Sequence, residues 1–129
     1  MWTHGEYAIT TDNYATDISP VGVSLYKFTG SGLKKLKTLT KHGLTARFIG
    51  DKVYYVHYPK DKKGNLGQMD VYTCDLTGGN RELVTSITDP GEIGCVLVRD
   101  MTDEYIDYTL SDEKEYRYTF ATKKVEEKK

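Results

Sequence analysis

Histidine and cysteine, from which many catalytic and metal centres are built, are scarce in this chain, and those present are scattered. Its three histidines, His4, His42 and His57, stand apart from one another and from any Cys-x-x-Cys pair, so the spacing of a zinc site is missing. Two cysteines, Cys74 and Cys95, are too few for a disulfide framework, and each reads as a small buried hydrophobe within a strand. No Gly-x-Ser-x-Gly elbow, Walker loop or dinucleotide glycine pattern is present. With only three prolines and no apolar stripe at helical spacing, nothing in the pattern favours helices. No apolar run approaches the roughly 18 residues of a membrane-spanning helix. The opening Met1-Trp2-Thr3-His4-Gly5 lacks the basic and apolar stretches of a signal peptide. An excess of one charge is also missing: 18 basic residues face 19 acidic ones, and the net charge of -1 gives no field directed at nucleic acid or an anionic membrane.

What the chain does hold is tyrosine and threonine in alternating segments. Eleven tyrosines stand beside three phenylalanines and one tryptophan, a composition that suits pleated, half-buried surfaces. Alternation and turn residues predict strands over Glu6–Thr11, Val23–Thr29, Lys34–Thr40, Thr45–Gly50, Lys52–Tyr58, Met69–Leu76, Glu82–Thr88, Cys95–Asp100, Glu104–Leu110 and Glu115–Thr122. Gly30-Ser31-Gly32 and Gly78-Gly79-Asn80 supply residues that tolerate positive φ at tight hairpins.

The segments repeat. Thr29-Gly30, Thr40 and Gly43 recur 48 residues later as Thr77-Gly78, Thr88 and Gly91. Leu36, Leu39 and Ile49 recur at the same offset as Val84, Ile87 and Leu97. A fixed period in a strand-rich chain is the mark of stacked β units. The expected architecture is all-β: antiparallel four-stranded meanders forming about three propeller-like blades, an incomplete ring within one domain. The units run over residues 5–43, 44–91 and 92–125, with a charged C-terminal tail, 123–129, that is expected to fray. Three blades leave edge strands unpaired. The expected alternatives are then a fragment of a longer propeller, a protomer of a homo-dimer that closes the ring, or a compact sandwich or open stack.

The segment from Val71 to Thr85, with its aromatic strand, Asp75-Leu76 step and Gly78-Gly79-Asn80 turn, resembles a TolB-type propeller repeat, and Leu25 to Leu36 resembles the same pattern. Phe48 to Val56 is similar to the inner hairpin of related repeats in bacterial cell-surface proteins. The resemblance implies an extracellular or cell-envelope location and partners that are proteins, peptides or glycans. It supplies no catalytic residue.

The function expected is therefore that of a non-catalytic interaction domain binding protein or glycan, without nucleic acid, membrane insertion, metal or cofactor. The alternative is a propeller accessory domain of a peptidase or glycan-active enzyme. Candidate ligand-binding residues are Tyr54, Tyr55 and Tyr58, which crowd one strand, together with His57 among them. Aromatic rings offer area for stacking and a polar handle, although packing between blades explains the same residues. The long loop from Pro59 to Gln68 carries Lys60, Lys62 and Lys63 as a candidate partner contact. Asp12-Asn13-Tyr14-Ala15-Thr16-Asp17 clusters oxygens of the kind calcium uses, without the spacing of an EF-hand, and reads as a polar turn.

Overall fold

In the computed structural model, the described residues are 2–11, 21–59, 67–89 and 94–128, and they form β-strands and turns with no helix. Seven strands follow one another in a single antiparallel sheet: β1 (Trp2–His4), β2 (Tyr7–Thr11), β3 (Val21–Thr29), β4 (Gly32–Ile49), β5 (Lys52–His57), β6 (Gln68–Asp75) and β7 (Glu82–Thr88). A second antiparallel sheet holds β8 (Leu97–Met101), β9 (Tyr105–Thr109), β10 (Glu115–Thr119) and β11 (Lys124–Glu127), again in chain order. The class is thus all-β, built as meanders. The lysines of the long loop, Lys60, Lys62 and Lys63, and the Asp12–Asp17 cluster lie outside the described residues.

Two strands expected as separate, Lys34–Thr40 and Thr45–Gly50, are one. The 18-residue β4 pairs with β3 through its first part and with β5 through its second. Gly43 is the pivot, opposite Val21 on one side and His57 on the other, and the register slips on both sides of it. The site leaves no room for a side chain. A Cβ there would stand 2.6 Å from Thr40 Cγ2, 2.7 Å from the Val56 carbonyl oxygen and 2.9 Å from Val23 Cγ2. Glycine at an irregularity lets two backbones approach and the strand bend. The unit boundary expected at residues 43 and 44 therefore falls inside a strand, and the first two units share one continuous sheet.

The meander pattern is otherwise more complete than expected. β1 supplies a first strand for the first unit. Within the tail, Lys124–Glu127 form a strand: β11 pairs with β10 from Tyr116–Glu127 to Thr119–Lys124. Charge complementarity holds it, because Lys128 Nζ lies 2.6 Å from Glu115 and 2.9 Å from Asp107. The Gly-Gly-Asn turn behaves as its composition demands, with φ of 91° at Gly78 and 53° at Asn80.

The seven-stranded sheet curls on itself, so that β1 meets the second half of β4: His4 stacks on Phe48 at 5.4 Å and the Arg47 guanidinium sits 4.4 Å above Trp2. Inside the curl lies one core, of Ile9, Val23, Leu25, Ala46, Val53, Tyr55 and Cys74. A second core lies between β5–β7 and the four-stranded sheet, and includes Val56, Tyr58, Met69, Val71, Val96 and Ile106. β5 and β6 form the wall between them. Period-two alternation sends Val53 and Tyr55 to one core and Val56 and Tyr58 to the other, so these strands are buried on both faces. Cys74 and Cys95 are free thiols, Cys74 in the first core and Cys95 packed against the second.

Two buried carboxylates fix the ends of the second layer. Asp89, at the crossover after β7, accepts hydrogen bonds from the Cys95 and Ser111 backbone N–H groups at 2.8 and 2.7 Å and from the Ser111 hydroxyl at 2.9 Å. Asp107, on the outer face of β9, takes a two-point contact from Arg117 and a third from Lys128. The Arg117 hydrogen bond, seconded by Lys128, holds its carboxyl below the usual carboxylate range against the opposing effect of burial.

Candidate functional site

β5 is the natural place to look, since four candidate residues come from it and its end. The structure separates them. Tyr55 is buried in the first core, where it stacks on Tyr72 at 5.7 Å. Tyr58 is buried in the second, and its hydroxyl donates to the Val96 carbonyl at 2.8 Å. Burial pushes the Tyr58 phenol well above its ordinary value. Neither ring is available to a ligand. His57, half-buried, shares a hydrogen bond of 2.7 Å with the Thr40 hydroxyl and lies opposite Asp70 across the ladder. Asp70 is itself bound by the Ser86 hydroxyl at 2.6 Å and by Gln68. These bonds link β4 to β5 and β6 to β7, with the Ser86 hydroxyl donating to the Asp70 carboxylate.

Tyr54 differs. Alternation turns it toward the four-stranded sheet, where its ring meets Phe120, 5.1 Å away at an angle of 58°. Other half-buried tyrosines have their faces occupied by cations: Tyr7 by Lys27, Tyr72 by Arg81, Tyr105 by Arg117. Tyr54 instead borders a cavity of about 200 Å³ at the seam between the two sheets. Opposite Tyr54 across the ladder stands Thr73, whose residue is 6% exposed. Its hydroxyl oxygen is buried and finds no hydrogen-bond partner among the described residues. A buried hydroxyl left unbonded is costly, on the order of 1–3 kcal/mol.

The rim is built by two elements. β7 contributes Glu82, Leu83 and Val84, and the turn after β10 contributes Phe120 and Lys123. Lys123 adopts φ of 57°, and its N–H bonds back to the Thr119 carbonyl at 2.9 Å, which fixes the turn against the seam. Glu82 and Lys123 place opposite charges on one rim, so the cavity has no net preference for an ion. Aromatic walls, a buried hydroxyl and a balanced rim form a recess suited to a neutral group with an apolar body and one hydrogen-bonding point. No cluster of histidine, cysteine or carboxylate fit to hold a metal occurs among the described residues.

A second recess, of about 210 Å³, lies between β4 and β8. Two cations line it, Arg47 and Arg99; Arg47 is spent on the Thr45 hydroxyl and the Ala46 carbonyl, both at 2.7 Å, and burial lowers its pKa. It offers no buried polar atom in need of a partner.

Of the sequence candidates among the described residues, Tyr54 alone lines the seam cavity. Thr73, Val84, Phe120 and Lys123 were not foreseen. The signal available was Thr73, a hydroxyl in register with Met69 and Val71 on a face that is otherwise apolar. The chain matches no known protein-family model and no curated protein.

Proposed function

We propose that the chain is a non-catalytic, propeller-like interaction domain of a surface or envelope protein, and that it takes a group of a protein or glycan partner into the cavity beside Tyr54. The observation that carries this reading is an aromatic-walled recess at the seam whose lining includes Thr73, a residue with a buried hydroxyl that finds no hydrogen-bond partner among the described residues. A polar atom left in that state beside a recess is compensated when the lining adjusts and a partner supplies the missing hydrogen bond. The TolB-type resemblance supports the same class, since its repeats serve binding and bring no catalytic residue.

Titration of the 15N-labelled chain with chitin and maltose oligosaccharides and with short peptides tests the reading. A binding ligand moves the signals of Tyr54, Thr73 and Phe120, and Tyr54→Ala weakens it tenfold or more, the scale of one aromatic contact of about 1.4 kcal/mol. Absence of any shift at these residues with millimolar ligand of both classes would overturn it.

A further inference from the structure

The cavity opens at a free sheet edge, and the two features together say more than either alone. Among the described residues β7 pairs with β6 and with no other strand, so it ends the seven-stranded sheet and its outer N–H and C=O groups form an open template. Leu83, on this edge, is 56% exposed, the most exposed large apolar side chain of those described. Glu82, Leu83 and Val84 of the same strand form one lip of the cavity, whose lining includes Thr73.

We infer that the partner is an extended peptide that adds to β7 as an eighth strand and places one side chain in the cavity. This rests on the reading of the cavity as a ligand site. An added strand has a side-chain period of two, so every second residue faces the same side as Tyr54 and Val84, toward the seam. At about 200 Å³ the recess is smaller than the roughly 300–1,000 Å³ typical of sites that enclose a whole small molecule. It has room for one anchoring group while the remainder of the ligand lies outside. The backbone ladder then gives affinity, and the recess selects the anchor. The chemistry of the lining names the anchor: an apolar or aromatic stem to lie against Tyr54 and Phe120, ending in a neutral hydroxyl or amide that bonds Thr73. The opposite charges of Glu82 and Lys123 in the lining give no preference to an ionised one.

The test uses the full chain and a blocked heptapeptide of alternating threonine and valine with tyrosine at its centre. Amide exchange and chemical shifts are followed by NMR, and mass by light scattering. The expected result is slowed exchange of β7 amides together with shifts at Thr73, Tyr54 and Phe120. N-methylation of two peptide backbone nitrogens abolishes both. Thr73→Val, which keeps the shape and removes the hydroxyl, weakens binding about fivefold to tenfold while the melting temperature stays level or rises, because no unbonded hydroxyl remains. If oligosaccharides move Tyr54 and the peptide leaves β7 exchanging freely, the strand proposal falls and the cavity stands as a glycan site. If neither probe moves the cavity, both readings fall. If β7 is already protected in the free protein, with mass rising to a dimer, a second copy is the occupant and the peptide proposal is overturned.

Discussion

Asp107 shows how a single carboxylate sets a pH dependence. Its side chain is 5% exposed and carries two cationic neighbours, Arg117 at 2.7 Å and Lys128 at 2.9 Å. Their hydrogen bonds lower its pKa in the folded state below the unfolded value of about 4. The sign follows from that direction. A depressed carboxylate contributes stability that is complete above the unfolded pKa and is lost as pH falls through the folded one. Asp107→Asn is therefore expected to melt below the wild type at pH 7, and the gap is expected to close as the pH drops below about 4. Circular-dichroism melts of both proteins at pH 7 and pH 3 decide the point. An equal gap at both values would assign the effect to shape and not to charge. Residues of this kind are poorly legible in sequence. Asp107 sits among ten other Asp residues with nothing local to mark it, because its partners arrive from β10 and from beyond β11.

At the scale of elements, the two halves of β4 meet at Gly43, and the strand depends on that residue. Gly43→Ala sets a methyl against Thr40, Val23 and the Val56 carbonyl, all nearer than 3.0 Å. The carbonyl belongs to β5 and cannot swing aside as a side chain would. The expected loss is about 1–3 kcal/mol, toward the upper end, with the damage centred on the β4–β5 pairing. Urea unfolding measures the loss, and amide exchange locates it. A change within a few tenths of a kcal/mol would mean that the bend relaxes freely. The same glycine explains where strand reading succeeded and failed. Alternation located most strands within two residues, and Glu82–Thr88 agrees at both ends. The Lys41-His42-Gly43 stretch read as a break, since polar residues and a glycine usually end strands. Here glycine marks a bulge through which the strand continues to a new neighbour, a distinction that only the partner strands reveal. Likewise β5 was legible as a strand, with its crowded tyrosines divided between two faces. Strict alternation already forbade Tyr54 and Tyr55 from sharing a face. What alternation could not say is that both faces are covered, which is a property of the second sheet. The cavity follows the same logic: Tyr54 was within reach of sequence reasoning, whereas Phe120 and Lys123 join it through packing between sheets.

For the whole molecule, the shared wall has a consequence for unfolding. Ile9 and Ile106 are fully buried, one in each core. They lie in different sheets and make no common cluster, so a molecule of independent halves would feel their loss in separate transitions. β5 and β6, however, present Val53, Tyr55 and Cys74 to one core and Val56, Met69 and Val71 to the other. Losing either core strips one face from strands that the other needs, and the four-stranded sheet retains no covered face alone. Ile9→Ala and Ile106→Ala are each expected to cost about 2–5 kcal/mol, the range for a fully buried branched side chain. Each is expected to move a single transition to lower temperature, coincident by calorimetry and by circular dichroism. Two calorimetric peaks, with only one displaced by each substitution, would show that the cores melt separately and that the repeated units behave as independent modules. A single displaced peak in both variants would show that the wall couples them, and that a ligand held at the seam, which touches β5, β6, β7 and the turn beyond β10, stabilises the entire chain.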